Sequence, residues 1–282
     1  MNYLNSSIVD IKQLGQEKHQ EYITAAPFPN IAIDNFFNEE ILNKVADEFP
    51  DLAKQKEIFN YNNHNEKKLA AKGEALFGET TKLLAHYLNS EPFLEFLQAL
   101  TGIKETLLPD PYFLGGGYHE IKPGGLLKIH ADFNKHFTAK LDRRINLLVY
   151  LNKDWDESYG GYFELWDKEM TKAHKKILPI FNRIAIFSTT DFSYHGHPDP
   201  LTCPPDRSRR SLALYYYSNG RPQSEINTGL EAHSTLFKSR EGIKDDTIVT
   251  QQESSKKKST PLSKNLKKIQ KKIVRKIKRT FN

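Results

Sequence analysis

The chain has 282 residues, enough to bury a substantial core, and its 38% hydrophobic and 27% charged content is that of a soluble, globular protein. It has no run of about 18 apolar residues, and its first residues lack the basic start and apolar core of a secretory signal, so neither a spanning helix nor secretion is expected. A net charge of +6 conceals two parts: positions 256–282 hold twelve Lys and Arg and no acidic residue, which leaves 29 basic against 35 acidic residues, a net of −6, before them. The single cysteine, Cys203, excludes an internal disulfide and a cysteine-cluster zinc site, and a reducing, cytoplasmic setting follows as the default.

Positions 1–25 are polar and aperiodic and read as a loose lead-in. Alternation over 31–37 predicts a strand, and Asn38 then stands as an N-cap before Glu39 and Glu40, with Ile41, Leu42, Val45, Ala46 and Phe49 at helical spacing. Two further helices are expected, one over 66–88 and one from Ser90 and Pro92 to a stop at Gly102. From Tyr112 the period shifts to two, giving candidate strands over 112–121, 126–133, 144–152, 162–167, 177–187, 193–197 and 209–218, separated by Gly, Asn and Pro turn signals. Strands gathered after helices predict an α+β fold, a double-stranded β-helix or cupin-like jelly roll backed by N-terminal helices. No Gly-rich run precedes a helix, which argues against dinucleotide binding.

The chemistry concentrates in Leu126 to Asp132, L-L-K-I-H-A-D. On a strand His130 and Asp132 project from one face. About sixty residues on, F-S-Y-H-G-H supplies His195 and His197. Two histidines and a carboxylate with open positions are the ligand set of a non-haem Fe(II) oxygenase. In the following R-S-R-R-S-L, Arg209 and Ser211 share a strand face, and a guanidinium fork beside the metal suits the far carboxylate of a dicarboxylate chelator.

These segments, together with Y-L-N-K-D-W-D from Tyr150, Gly160-Gly161 before F-E-L-W, N-R-I-A-I-F-S from Asn182 and the opening P-F-P-N-I-A-I-D-N-F-F, resemble the 2-oxoglutarate/Fe(II)-dependent dioxygenase superfamily, in particular its prolyl 4-hydroxylase-like branch, over about 26–220. The resemblance implies that His130, Asp132 and His195 hold Fe(II). It implies that Arg209, rather than Arg210, binds 2-oxoglutarate together with Ser211, with Tyr150 reaching the same co-substrate. Ascorbate is implied as an accessory cofactor. His197 falls where the family more often has an apolar residue, and it stays an alternative ligand. The implied reaction is hydroxylation of an unactivated C–H bond, on a prolyl residue of a protein or on a small molecule, with 2-oxoglutarate decarboxylated to succinate and CO2. The carboxylate of Asp132 favours hydroxylation over halogenation.

Asn146 and Leu148 share the strand parity of Tyr150 and are expected to line the pocket. His64, His86, His119, His136 and His174 fit no ligand spacing and are expected to be structural or superficial, with His119 and Lys122, on the strand before the ligand strand, the alternative candidates for reaching a substrate. Phe133, Phe137, Trp155 and Trp166 are expected to pack the barrel, and Glu164 is an open candidate for supporting the site. The competing readings are a non-catalytic jelly-roll binding module with a vestigial metal site, and a cupin-type enzyme that does not use 2-oxoglutarate. A domain over 26–222 is then followed by a linker over 223–262 and a basic amphipathic helix over 263–282. The helix would lie on an anionic membrane surface or meet an acidic partner, with nucleic acid the weaker option.

Overall fold

The computed structural model describes residues 2–226 and 232–241. The basic helix expected over 263–282 lies outside them. Among the described residues no helix is long and apolar enough to cross a membrane.

Helix α1 spans Ile11–Ile23, strand β1 Asn30–Ile33 and helix α2 Glu39–Asp47. Strands β2 (Ile58–Asn62) and β3 (Lys67–Ala71) form a hairpin, and helices α3 (Glu79–Leu88) and α4 (Glu91–Thr101) follow. The remaining strands are β4 (Leu108–Pro109), β5 (Gly117–Ile121), β6 (Leu127–Ala131), β7 (Asp142–Tyr150), β8 (Phe163–Trp166), β9 (Ala173–Ile177), β10 (Ile184–Ser188), β11 (His195–His197), β12 (Arg209–Ser218) and β13 (Leu236–Phe237).

The strands form two antiparallel sheets. The larger runs β1-β10-β7-β12-β5-β3-β2, with β4 also on β12, and the smaller runs β13-β6-β11-β8-β9. Period-two alternation divides the side chains of the large sheet. Ile145, Leu147, Val149, Leu212, Leu214 and Tyr216 point outward into a core shared with the helices. Tyr150, Ala185 and Phe187 point inward, where they meet Phe163, Leu165 and Ile177 of the small sheet. The expected double sheet backed by N-terminal helices is present.

Three local expectations need correction. The lead-in is not loose: Asp10 caps α1 by accepting from the Gln13 amide at 3.0 Å, and the helix lies on α4. Its Gly15 is the contact, since a Cβ there would meet the Phe96 carbonyl oxygen at 2.7 Å. The helix expected over 66–88 is instead a strand, a loop and α3, because Leu69 and Ala70 pair with β5 and Gly73 turns the chain at φ +64°. Part of the expected linker is ordered as well. Leu236 and Phe237 add β13 to the edge of β6, His233 pairs with Asp191 at 2.9 Å, and Arg240 pairs with Asp199 at 3.1 Å.

Candidate metal centre

His130 lies on β6 and Asp132 just beyond its end, two positions on and therefore on the same face. His195 opens β11 directly opposite His130 in the antiparallel register, which brings the ring centroids to 4.5 Å. The structure thus brings the three side chains together: one ligand atom from each lies within 4.8 Å of the others. The Asp132 carboxylate is 3.5 Å from His130 Nε2 and 3.3 Å from His195 Nε2. Each imidazole is oriented through its far nitrogen, His130 Nδ1 by the Lys128 carbonyl and His195 Nδ1 by the Ser193 carbonyl, both at 2.8 Å. With Nδ1–H donated in this way, Nε2 of both rings is left as a lone-pair donor.

Asp132 is held on its outer side by Asn146 Nδ2 at 2.6 Å and by the Arg143 guanidinium at 3.1 Å. Burial pushes its pKa up, but Arg143, His195 and His130 outweigh that and hold it well below the usual carboxylate range. Arg143 is buried and stacked between the rings of Phe133 and Tyr215, at 4.2 and 3.4 Å from their centroids. It is a residue the sequence did not disclose. Arg143 is three positions from Asn146, so regular alternation would put it on the opposite face. A bulge between β12 and β7 shifts the register at this point and turns it inward.

Between the sheets a cavity is lined by His130, Asp132 and His195, and beside them by Arg209, Ser211, His197, His119 and Lys68. Arg209 is buried; its Nε donates to the Gly161 carbonyl at 2.9 Å and a terminal nitrogen donates to the Tyr150 hydroxyl at 3.3 Å. Gly161 has φ +71°, and a Cβ there would meet Leu201 Cδ2 at 2.6 Å and Arg209 Cδ at 3.1 Å, so glycine gives the guanidinium stem its place. Arg210 projects from the other face of β12, pairs with Glu120 at 3.3 Å and lies over the Phe49 ring. Asn146, Leu148, Phe163, Phe187, Ile121 and Leu127 complete the cavity wall.

Lys68, on the hairpin read as helix, is a second cavity residue the sequence did not indicate. His119 lines the cavity, whereas Lys122 turns away to Asp51 at 2.9 Å. Glu164 is not in the cavity wall; it accepts from Trp166 Nε1 at 2.9 Å and pairs with Lys176 at 2.6 Å. Trp155 and Trp166 are buried, but Phe137, expected in the core, is 83% exposed. His197 does not join the His130–Asp132–His195 group.

The fold is a double sheet, and between its sheets lies a donor set that could hold a metal ion. Residues 116–217 match the family model of the 2OG-Fe(II) oxygenase superfamily, a family that uses Fe(II) and 2-oxoglutarate. The chain's fold is similar to that of a Pseudomonas putida prolyl-4-hydroxylase, at TM-score 0.54 and 14% identity over 73% of this chain and 100% of that one. It is also similar to a Trichoplax adhaerens prolyl hydroxylase solved with a hypoxia inducible factor oxygen degradation domain peptide fragment, at TM-score 0.53 and 19% identity over 74% and 90%. HygX from Streptomyces hygroscopicus, solved with nickel and 2-oxoglutarate, matches at TM-score 0.50 and 11% identity over 83% and 99%. A search of the curated proteins found no match.

Proposed function

We propose that the chain is a prolyl 4-hydroxylase-like hydroxylase in which His130, Asp132 and His195 hold Fe(II) and Arg209, Ser211 and Tyr150 hold 2-oxoglutarate. The observation that carries the reading is the meeting of two imidazole nitrogens and a carboxylate within 4.8 Å, in one cavity with a buried guanidinium. The donors fit the ion: two neutral nitrogens and one oxygen, with no thiolate, are the facial set that leaves positions open for a chelating co-substrate and dioxygen. When bound, Fe(II) and 2-oxoglutarate supply the oxidative decarboxylation, to succinate and CO2, that drives hydroxylation of the acceptor.

Around that chemistry the chain's own residues bind and orient. The Lys128 and Ser193 carbonyls fix the two rings. Asn146 and Arg143 hold Asp132 ionised and in place. Arg209 offers a charge-assisted fork to the far carboxylate, and Tyr150, hydrogen-bonded to it, limits its rotation. Phe163, Phe187 and Leu148 exclude water from the space between the two anchors.

The acceptor is a prolyl residue of a protein or a small molecule. The support for a prolyl acceptor is the fold shared with the two prolyl hydroxylases above. The test is succinate release from 2-oxoglutarate with added Fe(II), first without acceptor and then across prolyl peptides, free proline, other amino acids and sugars. Asp132→Ala is expected to abolish turnover. Arg209→Ala is expected to raise the KM for 2-oxoglutarate by about a hundredfold, as loss of a charged hydrogen-bonded contact does, while Arg210→Ala leaves it unchanged. Absence of succinate from iron-replete protein, with no iron-dependent binding of 2-oxoglutarate, would leave the non-catalytic binding module as the answer. For the basic tail the sequence pattern supports an anionic membrane surface, which co-flotation of the full chain with phosphatidylserine vesicles tests; no flotation at low salt would remove that reading.

A further inference from the structure

Among the cavity side chains for which the reading above has no use is His197. His197 follows His195 by two positions on β11 and lines the same cavity as Arg209 and Ser211 of β12. Gly196 lets the strand lie this close to β6, since a Cβ there would meet the Leu127 carbonyl oxygen at 2.6 Å. His197 is 3% exposed, and neither ring nitrogen has a hydrogen-bond partner in the protein. It is the only histidine in that state among the described residues. Its two neighbours of the same type, His130 and His195, each have a nitrogen bound to a backbone carbonyl.

Buried polar groups are almost always paired, so an orphaned one lining a cavity points to a partner that arrives from outside. That partner is not the metal, because the ligand cluster forms without His197. Arg209 and Ser211 line the same cavity, so the anion expected there is the one proposed for Arg209.

We propose that His197 donates a ring N–H to the far carboxylate of 2-oxoglutarate, making a three-donor clamp with Arg209 and Ser211. The proposal rests on the co-substrate assignment made above. An imidazole carries at least one N–H in either protonation state, and an ionised carboxylate has about four lone-pair sites, enough for all three donors. His197 would then be a specificity residue, one that favours a dicarboxylate 2-oxo acid over a monocarboxylate.

Calorimetric binding to the Mn(II)-loaded, oxygen-free full chain tests this, with 2-oxoglutarate and, as the control lacking the far carboxylate, 2-oxobutyrate. His197→Leu is expected to weaken 2-oxoglutarate by about tenfold or more, as loss of one hydrogen bond to a charged group does, and to leave 2-oxobutyrate and Mn(II) affinity unchanged. His197→Gln, which retains an N–H donor, is expected to recover most of the loss. In the unmutated Zn(II)-loaded protein, 2-oxoglutarate but not 2-oxobutyrate is expected to shift the His197 ring N–H resonance; this reading does not depend on any variant folding. Unchanged 2-oxoglutarate binding in His197→Leu, equal weakening of both acids, or an unmoved resonance overturns the proposal. Arg209→Ala in the same assay separates the two levels. If it loses 2-oxoglutarate while His197→Leu does not, only the role of His197 falls; if neither loses it, the co-substrate assignment falls too.

Discussion

Asp132 shows how much of a site rests on residues that never touch the reacting atoms. Its carboxylate faces His130 and His195 on one side and Asn146 and Arg143 on the other. Burying a carboxylate is costly unless charge and hydrogen bonds surround it, and here the fully buried Arg143 guanidinium provides the charge and Asn146 a hydrogen bond. Arg143→Met keeps a long stem between Phe133 and Tyr215 but removes the charge. It is expected to destabilise the metal-free protein by about 3 kcal/mol, with most of that recovered on adding Mn(II), because a divalent cation then stands opposite Asp132. Urea unfolding with and without Mn(II) checks this, and an equal loss in both conditions would assign Arg143 a purely structural part. His130, Asp132 and His195 could be picked out in the sequence because two-residue spacing on strands is a local rule. Arg143 could not, since a bulge, set by tertiary pairing, reverses its face. Lys68 was hidden by the helical reading of its hairpin, where the spacing of Leu69, Leu76 and Phe77 fits a helix as well as a strand.

Elements near the chain ends carry more of the structure than their composition indicates. Helix α1 has a weak apolar stripe, so its periodicity is faint, and its main contact is made by an absent side chain at Gly15. Alanine in a helix is normally worth about 1 kcal/mol over glycine. Here the added methyl group would meet backbone atoms, which cannot swing aside, and overpacking of that kind costs about 1–3 kcal/mol. Gly15→Ala is therefore expected to be destabilising, and a raised melting temperature would contradict the close α1–α4 contact.

At the other end, segment 232–241 straps the ligand strand. Phe237 packs on the His130 ring with centroids 5.5 Å apart, and the Lys238 amide donates to the Ile129 carbonyl at 2.8 Å. The buckle is His233 on Asp191. Burial lowers the His233 pKa, but the Asp191 carboxylate and the Ser234 carbonyl outweigh burial and the nearby Arg221, so the net shift is upward. A raised histidine contributes its stabilisation fully below the ordinary histidine value of about 6.5 and loses it as pH rises through the folded value. Hydrogen exchange at Lys238, corrected for intrinsic rate, is expected to quicken as pH rises above the ordinary histidine value of about 6.5, and Asp191→Asn is expected to remove the dependence. A pH-independent rate would separate the strap from His233. The sequence could not show this strap, because two-residue pairing at a sheet edge leaves no period to read.

For the molecule as a whole, the division of labour follows the two sheets. The proposed metal donors come from β6, the position just beyond it and β11 of the small sheet, and the proposed co-substrate contacts come from the large sheet, Arg209 and Ser211 on β12 and Tyr150 on β7. A co-substrate chelating metal at one end and bound by a guanidinium at the other would span the gap between them. That plan was readable from the order of strand-like segments, since antiparallel alternation fixes which residues turn inward. The reach of the large sheet into the β2–β3 hairpin was not, because it depends on long-range pairing with β5. The most direct measurement is anomalous diffraction from crystals grown with Mn(II) and 2-oxoglutarate without oxygen. One peak bonded to His130 Nε2, an Asp132 carboxylate oxygen and His195 Nε2, with a chelate running from it to Arg209, is the predicted result. A peak elsewhere, or none at these three side chains in metal-saturated crystals, would contradict it.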